Sequence, residues 1–202
     1  MIRHNIDPNI KIRKCDDLYD SPTTVYVNKF TEESSKKFCE DMDKAEISPQ
    51  SVIPIVIDSY GGQVYSLLAM MDRISACKKT VATIATGKAM SCGSVLLSCG
   101  SEGMRFISPN ATVMIHDVSS WAVGKVEEVK TSAEESERLN KLIFETMAKN
   151  CGHKSKYFLN LIHDKSHADW FLTAEETVKH NLANHIRVPS FEVKVSLDIT
   201  YK

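Results

Sequence analysis

Residues 52–71, VIPIVIDSYGGQVYSLLAMM, decide the class of fold. They begin with a continuous apolar run at 52–57, which predicts a strand covered on both faces. The turn DSYGG follows at 58–62, and beyond it apolar residues recur at helical spacing: Val64, Leu67, Leu68, Met71 and Ile74. A buried strand, a glycine turn and a helix in this order are the building unit of an α/β protein.

The same alternation continues along the chain. Further strands are predicted at 23–27, 81–85, 106–107 and 112–115. A helix is predicted from the start TEES at Thr31, and a short one at 95–97 after a small-residue turn at 87–93. Beyond these the pattern is mainly helical, at 125–148, 154–161 and 173–180, with an edge strand at 192–200. The sequence therefore predicts an α/β fold followed by a helical section.

Composition excludes several classes of protein. The chain has 202 residues, of which 43% are hydrophobic and 25% are charged, an ordinary globular composition with enough apolar material for a core. Lysine and arginine (25) nearly balance aspartate and glutamate (26), giving a net charge of −1. This balance gives no excess of positive charge that would indicate binding to nucleic acid or to an anionic membrane. No apolar run approaches the length of a membrane helix, and the N-terminus has no signal-peptide pattern, so we expect a soluble, cytoplasmic protein.

Cysteine and histidine patterns give no metal site. Six cysteines lie at irregular spacings without a C-x-x-C pair, which favours free thiols. His163 and His167 would share a helical face near Cys151 and His153, but no acidic ligand follows at a suggestive spacing. We predict that the chain binds no metal.

Two turns after buried strands are candidate sites, because α/β proteins place ligands there. One is the Gly61-Gly62 turn, which on its own is most often only a turn. The other, at 87–93, holds Ser91 between small residues, in the manner of a nucleophile elbow or, equally, of a helix N-cap. Lys88 in this turn is expected to be a solvated residue rather than a catalytic partner. His116 follows a buried strand, and it has an ordinary structural explanation.

Three segments together carry a specific resemblance: IVIDSYGG at 55–62, GKAMSCGSVLLSCGSEGMRFISPNATVMIH at 87–116, and DWFLTAEE at 169–176. In this order they resemble the proteolytic subunit of the Clp protease, and the similarity runs without gaps over 52–184. The resemblance implies a Ser-His-Asp triad of Ser91 as nucleophile, His116 as general base and Asp169 as its orienting carboxylate. It also implies an oxyanion hole from the backbone N–H groups of Gly62 and Cys92.

The resemblance also implies an architecture. Residues 23–202 would form a ClpP-like, crotonase-like α/β head of stacked parallel sheets with helices, preceded by an N-terminal arm at 1–22 and ending in a strand-like tail at 190–202. A strand-helix handle at about 119–149 would protrude, and heptameric rings would stack through the handles around a catalytic chamber. An extended polypeptide substrate would lie as an added strand beside the catalytic turns.

Several positions depart from the family pattern. Tyr60 replaces the proline before Gly61, and Gln63 replaces the serine after the glycines; Asp117 and Val118 replace a glutamine-proline pair. These four positions, together with Gly61, would line the substrate groove, so cleavage preference is expected to differ. His167-Ala168 replaces the Asp-Arg pair that links two rings, so contact between rings is expected to be weaker or absent.

The implied activity is a serine endopeptidase that needs no cofactor. ATP would enter only through a partner AAA+ unfoldase, and the N-terminal portion offers no clear equivalent of the segment that meets one. The divergence suits an organellar paralogue or a phage protease of capsid maturation. Two other classes stay open: a catalytically silent ring or scaffold subunit, and a crotonase-type acyl-CoA enzyme, which would not need all three triad residues.

Overall fold

The computed structural model describes residues 19–20, 22–166 and 168–194. In these residues the strands are β1 (Tyr19–Asp20), β2 (Val25–Val27), β3 (Val52–Ser59), β4 (Thr80–Met90), β5 (Arg105–Ile107), β6 (Thr112–Ile115), β7 (Trp170–Leu172), β8 (His185–Ile186) and β9 (Val193–Lys194). The helices are α1 (Glu32–Ile47), α2 (Val64–Ser75), α3 (Cys92–Ser98), α4 (Val126–Asn150), α5 (Tyr157–Asp164) and α6 (Ala174–Lys179). The mixed α/β fold predicted from the sequence is confirmed.

The sheet forks along β4. Its first half pairs in parallel with β5, continuing the order β2-β3-β4-β5-β8. Its second half, at 88–90, pairs in parallel with β6, and β6 pairs antiparallel with β7. The second branch therefore brings the end of β4, the end of β6 and the start of β7 to one place, which is where the candidate residues lie.

The core lies between the sheet and the helices. Strand β3 is buried along most of its length, as the continuous apolar run predicts. Helices α1 and α2 pack against each other and bury Phe38, Met42, Leu67 and Met70. Every residue of α3 is buried, against β4, α2 and α4. The segment that follows Ser91 is therefore enclosed by the core on several sides.

Strand β4 is longer than the sequence predicted. The predicted strand ended at 85, because Gly87 indicated a turn, but the strand continues to Met90 through a register shift against β3. Its pairing with two neighbours outweighs the low strand propensity of glycine. Lys88 is therefore not a solvated turn residue: it lies in the strand, and its amine donates to Asp58 Oδ1 at 2.6 Å.

Of the two elements predicted for the handle segment, the helix is present and the strand is not. Helix α4 covers 126–150, but residues 116–125 hold no strand. A strand needs a hydrogen-bonding neighbour, and this segment pairs with no strand among those described in the chain. The first turns of α4 are exposed. Its second half packs against the core through the buried residues Leu139, Ile143, Phe144 and Met147.

The ends of the described chain meet in a small sheet. Strand β9 pairs antiparallel with β1, through Val193 opposite Asp20. The predicted tail strand is therefore present at 193–194, while most of the N-terminal arm and residues 195–202 lie outside the described part. The predicted helix at 154–161 lies later, at 157–164. No helix in the described residues is both long and apolar enough to cross a membrane.

Candidate active site

Ser91 occupies a strained turn between β4 and α3. Its φ is 54° and its ψ is −122°, a backbone conformation that residues other than glycine adopt rarely and at a cost of about 1–3 kcal/mol. The Ser91 N–H donates to the carbonyl of Met114 on β6 at 2.9 Å, and the buried helix α3 follows directly. The surrounding structure therefore holds this serine in a conformation that it would not adopt alone.

The hydroxyl of Ser91 does not cap the helix that follows it. Ser91 stands at the N-cap position of α3, as the N-cap interpretation predicted, but its side chain makes no capping hydrogen bond. Its carbonyl instead accepts from the N–H groups of Ser94 at 3.0 Å and Val95 at 3.4 Å. A serine that serves only as a cap would use its hydroxyl for that purpose. Capping of α3 therefore does not account for the serine at this position.

The two glycine-containing turns are in contact. Gly61 has a φ of +108°, and a Cβ added to it would lie 2.7 Å from Ser91 Cβ and 3.1 Å from Ser91 Oγ. Only glycine allows this approach. The turn is held from its other side by Phe30, whose N–H donates to Gly61 at 3.3 Å and whose carbonyl accepts from Gln63 at 2.9 Å.

Two backbone N–H groups near Ser91, those of Gly62 and Cys92, make no hydrogen bond to a backbone carbonyl in the described part of the chain. Both residues line the same cavity as Ser91. Backbone N–H groups beside a nucleophilic hydroxyl are the arrangement that stabilises an oxyanion. These are the two groups that the resemblance implied.

Cys92 does not compete with Ser91 as a nucleophile. Its side chain is buried, and burial raises the pKa of the thiol above its ordinary value. The thiol donates to the carbonyl of Gly62 at 3.3 Å. Since the thiolate is the reactive form of cysteine, this residue contributes structure and a backbone N–H.

His116 and Asp169 lie at neighbouring strand ends. His116 is the first residue after β6 and lines the cavity with Ser91. Asp169 directly precedes β7, whose Trp170 pairs with Ile115. Continuing this antiparallel register by one residue places Asp169 opposite His116.

The candidate triad is not hydrogen-bonded in the single chain. Within the described residues, no hydrogen bond joins the Ser91 hydroxyl to His116, or His116 to Asp169. Asp169 is exposed. The fold thus brings the three residues to one region without completing the contacts between them.

The cavity at Ser91 is small, about 40 Å³. Its walls are the Ser91 turn, the segment from His116 to Ser119, and the residues Ile143, Phe144 and Met147 of α4. This space holds a water molecule or two but not a substrate side chain. A polypeptide would therefore lie along the surface of the cleft, or α4 would have to move outward.

The other groove residues differ in position. Asp117 and Val118 line the cavity. Tyr60 is 74% exposed, and the Lys88 amine lies 4.4 Å from the centre of its ring. Gln63 is also exposed, and its side chain accepts from the Ser66 hydroxyl at 3.2 Å. Tyr60 and Gln63 thus flank the glycine turn outside the cavity.

Sequence reasoning missed Asn140 of α4. Its amide donates to Asp117 Oδ1 at 2.8 Å, and its carbonyl oxygen accepts from the Val118 N–H at 2.9 Å. The available signal was an amide next to the apolar positions of a long helix, beside Leu139 and Ile143. Such a residue on a buried face usually has a specific partner.

The predicted absence of a metal site stays a prediction. No group of three or more histidine, cysteine or acidic side chains in the described part of the chain is arranged to hold a metal, but His167 lies outside that part. His153 is occupied otherwise, since its Nε2 lies 3.0 Å from the carbonyl of His180.

Comparison with protein families identifies the family of this chain. A family model described as Clp protease matches residues 9–189, about nine-tenths of the chain. The match includes the glycine turn, Ser91, His116 and Asp169, and it extends well before and after the segments that suggested the resemblance. This chain belongs to the Clp protease family.

Proposed function

We propose that this protein is a serine endopeptidase that cleaves unfolded or flexible polypeptides within a ring-shaped oligomer. The observation that carries the proposal is the Ser91 turn: a serine with a positive φ and no capping hydrogen bond, in one cavity with Gly62, Cys92 and His116. A peptidase needs a nucleophile on such a strained turn, whereas a purely structural turn does not.

In the proposed reaction Ser91 Oγ attacks the carbonyl carbon of the scissile peptide bond. His116 takes the hydroxyl proton as the bond forms and returns it to the leaving amine, so that the C–N bond breaks and an acyl-enzyme remains. Water then attacks the acyl-enzyme, again with His116 as base, and releases the acid. Asp169 would fix the imidazole tautomer and stabilise the imidazolium.

The N–H groups of Gly62 and Cys92 would stabilise the tetrahedral intermediate. Each donor of this kind is worth about 3–4 kcal/mol in other hydrolases. Both groups are held by the fold before substrate binds, since Phe30 fixes the glycine turn and α3 fixes Cys92. No cofactor enters any of these steps.

Substrate recognition would rely mainly on the peptide backbone. The cavity is too small to select a large side chain, and an extended peptide laid beside the glycine turn would gain main-chain hydrogen bonds. Tyr60 and Gln63 flank this path on one side, and Asp117 and Val118 on the other. We expect low sequence specificity, modified by these four residues.

Assembly would complete the site. The handle presents a run of exposed apolar side chains, Trp121, Val123, Val126 and Val129, as a surface covered on association would. Heptameric rings, singly or in a stacked pair, are proposed from the family. A partner AAA+ unfoldase belongs to the same proposal, and any ATP would be hydrolysed by that partner.

The test is covalent labelling with a fluorophosphonate, followed by intact-mass measurement and peptide mapping. We expect one adduct at Ser91, lost in Ser91→Ala and slowed in His116→Ala. Ser35→Ala, on α1, is the control and should label as the wild type does. The oligomeric state of each sample is measured by light scattering, because labelling is expected of the assembled form.

A catalytically silent subunit is the second candidate, favoured by the missing hydrogen bonds between Ser91, His116 and Asp169. It predicts an assembled ring with no adduct at Ser91 and no cleavage of an unfolded protein such as casein. That result would overturn the peptidase proposal.

A further inference from the structure

We propose that Asn140 is a positioning residue for the general base: its side chain fixes the two residues after His116, and through them the imidazole. The inference rests on the proposed function, because positioning a base matters only if His116 acts as one. It assigns to the handle helix a role inside the active site.

The contacts use both ends of the amide. Asn140 Nδ2 donates to Asp117 Oδ1 at 2.8 Å, while Asn140 Oδ1 accepts from the Val118 N–H at 2.9 Å. An amide with both ends engaged has one orientation, because a flip would place donor against donor. The Asp117 carboxylate and the Val118 N–H are therefore held in one arrangement around this amide.

The position of this contact along the chain makes it effective. The pairing of β6 with β7 is last recorded at Ile115, and residues 116–125 hold no strand. His116 is thus the residue between the end of the sheet and the contact with Asn140. Fixing Asp117 and Val118 restricts the backbone of His116 from its free side.

The anchor itself is rigid. Asn140 lies in the part of α4 whose neighbours Leu139, Ile143 and Phe144 are buried, and α4 packs against α3 and α5. A shift of this helix would move the histidine relative to Ser91. Displacements of about 1 Å at a catalytic group can reduce turnover by about a hundredfold.

The contact also accounts for a departure from the family pattern. A proline at position 118 would fix its own φ and carry no N–H that needs an acceptor. Val118 differs from proline in both respects, since its φ is less restricted and its backbone N–H needs an acceptor. Asn140 supplies the acceptor and the restraint through a side chain, in place of the proline ring.

If the Asn140 side chain does what a proline ring at position 118 would do, introducing that proline should rescue the loss of Asn140. The variants are Asn140→Ala, Val118→Pro, and the two combined, with Asn160→Ala on α5 as the control. We measure kcat and KM on a fluorogenic peptide, the rate of fluorophosphonate labelling at Ser91, and the thermal midpoint. Asn140→Ala should lower kcat and the labelling rate by about tenfold or more, with KM changed less than twofold.

The double variant decides the mechanism. If Asn140 acts by restraining residues 117–118, adding Val118→Pro should restore most of the lost rate, although the amide stays absent. An unchanged rate in Asn140→Ala would overturn the inference, and so would a loss that Val118→Pro does not restore. The proposed function fails separately, if wild-type Ser91 is not labelled in the assembled protein.

Discussion

The two sides of the candidate site are built differently. On the nucleophile side, Ser91 is fixed by a backbone bond to Met114, by the buried helix α3 and by contact with Gly61. On the base side, His116 and Asp169 stand at the ends of short strands, and Asp169 is exposed. The first side is embedded in the core, whereas the second lies beside the exposed handle.

This difference explains why the strained turn can exist in one chain while the proposed triad is not hydrogen-bonded. Backbone strain persists only where the surrounding structure fixes it, and the core around α3 does so. On the His116 side, residues 116–125 form no strand and Asp169 is exposed, so fewer backbone hydrogen bonds hold these side chains in place. Their alignment is thus open to control by association, which would cover the handle.

The largest effect is expected where the nucleophile side is most crowded. Gly61→Ala would place a Cβ 2.7 Å from Ser91 Cβ in a residue with a φ of +108°. Either the turn or Ser91 must move, so we expect labelling at Ser91 to fall by at least a hundredfold and the free energy of unfolding to fall by about 2–4 kcal/mol. Labelling kinetics and urea denaturation measure the two effects.

Gly103→Ala is the matched control for Gly61→Ala. Gly103 also has a positive φ, +74°, but an added Cβ would have no neighbour within 4 Å. It should therefore cost about 1 kcal/mol of backbone strain and leave labelling unchanged. Equal labelling rates in both alanine variants would mean that the contact between the two turns does not determine the position of Ser91.

A smaller effect is expected on the base side. Thr173 follows β7 and caps α6, accepting from the Glu176 N–H at 3.3 Å, while the Glu176 carboxylate accepts from the Thr173 N–H at 2.9 Å. Thr173→Ala should lower the free energy of unfolding by about 1 kcal/mol. Because β7 begins one residue after Asp169, we also expect a several-fold slower labelling of Ser91.

Thr31→Ala provides the comparison for Thr173→Ala. Thr31 has an equivalent capping box at the start of α1, so the loss of stability should be similar, but α1 lies away from β7 and labelling should not change. If both variants slow labelling equally, the effect of Thr173 is a general loss of stability, and the base side is no more sensitive than the rest of the fold.

Sequence patterns predicted those elements whose local and tertiary preferences agree. The apolar run of β3, the apolar stripe of α2, and the helix starts near Thr31 and Thr173 all appear as expected. The errors fall where tertiary pairing decides. Strand β4 passes through Gly87 because two neighbours pair with it. No strand forms before α4, and none of the strands in the described part of the chain pairs with that segment.

The candidate site was only partly accessible to sequence reasoning. The sequence pattern places Ser91 and His116 after predicted strands, and the structure brings both into one cavity. The Asn140 contact joins residues 22 and 23 positions apart, and no periodic pattern specifies a partner at that distance. A motif also fixes residue types rather than side-chain conformations, so it does not say whether three residues are hydrogen-bonded.

The smallest expected effect is a pH dependence of the base side, centred on His180. The rings of His180 and Trp170 pack edge to face, with 4.9 Å between their centroids. The Nδ1 atom of His180 lies 2.8 Å from the Tyr157 hydroxyl. Burial lowers the pKa of His180 below its ordinary value. The neighbouring Lys179, His153 and Lys165 lower this pKa further, whereas the Glu176 carboxylate raises it.

The sign of this pH dependence follows from proton linkage. A lowered pKa means that the unfolded chain binds more protons than the folded one below about pH 6.5. The contribution of neutral His180 to stability is therefore complete above that pH and declines as the pH falls towards the folded pKa. Urea denaturation at pH 7.5 and 5.5 should show a larger loss of stability for the wild type than for His180→Gln, which cannot be protonated. Equal losses would show that this buried histidine does not make the base side sensitive to acid, and the contrast with the nucleophile side would then rest on packing alone.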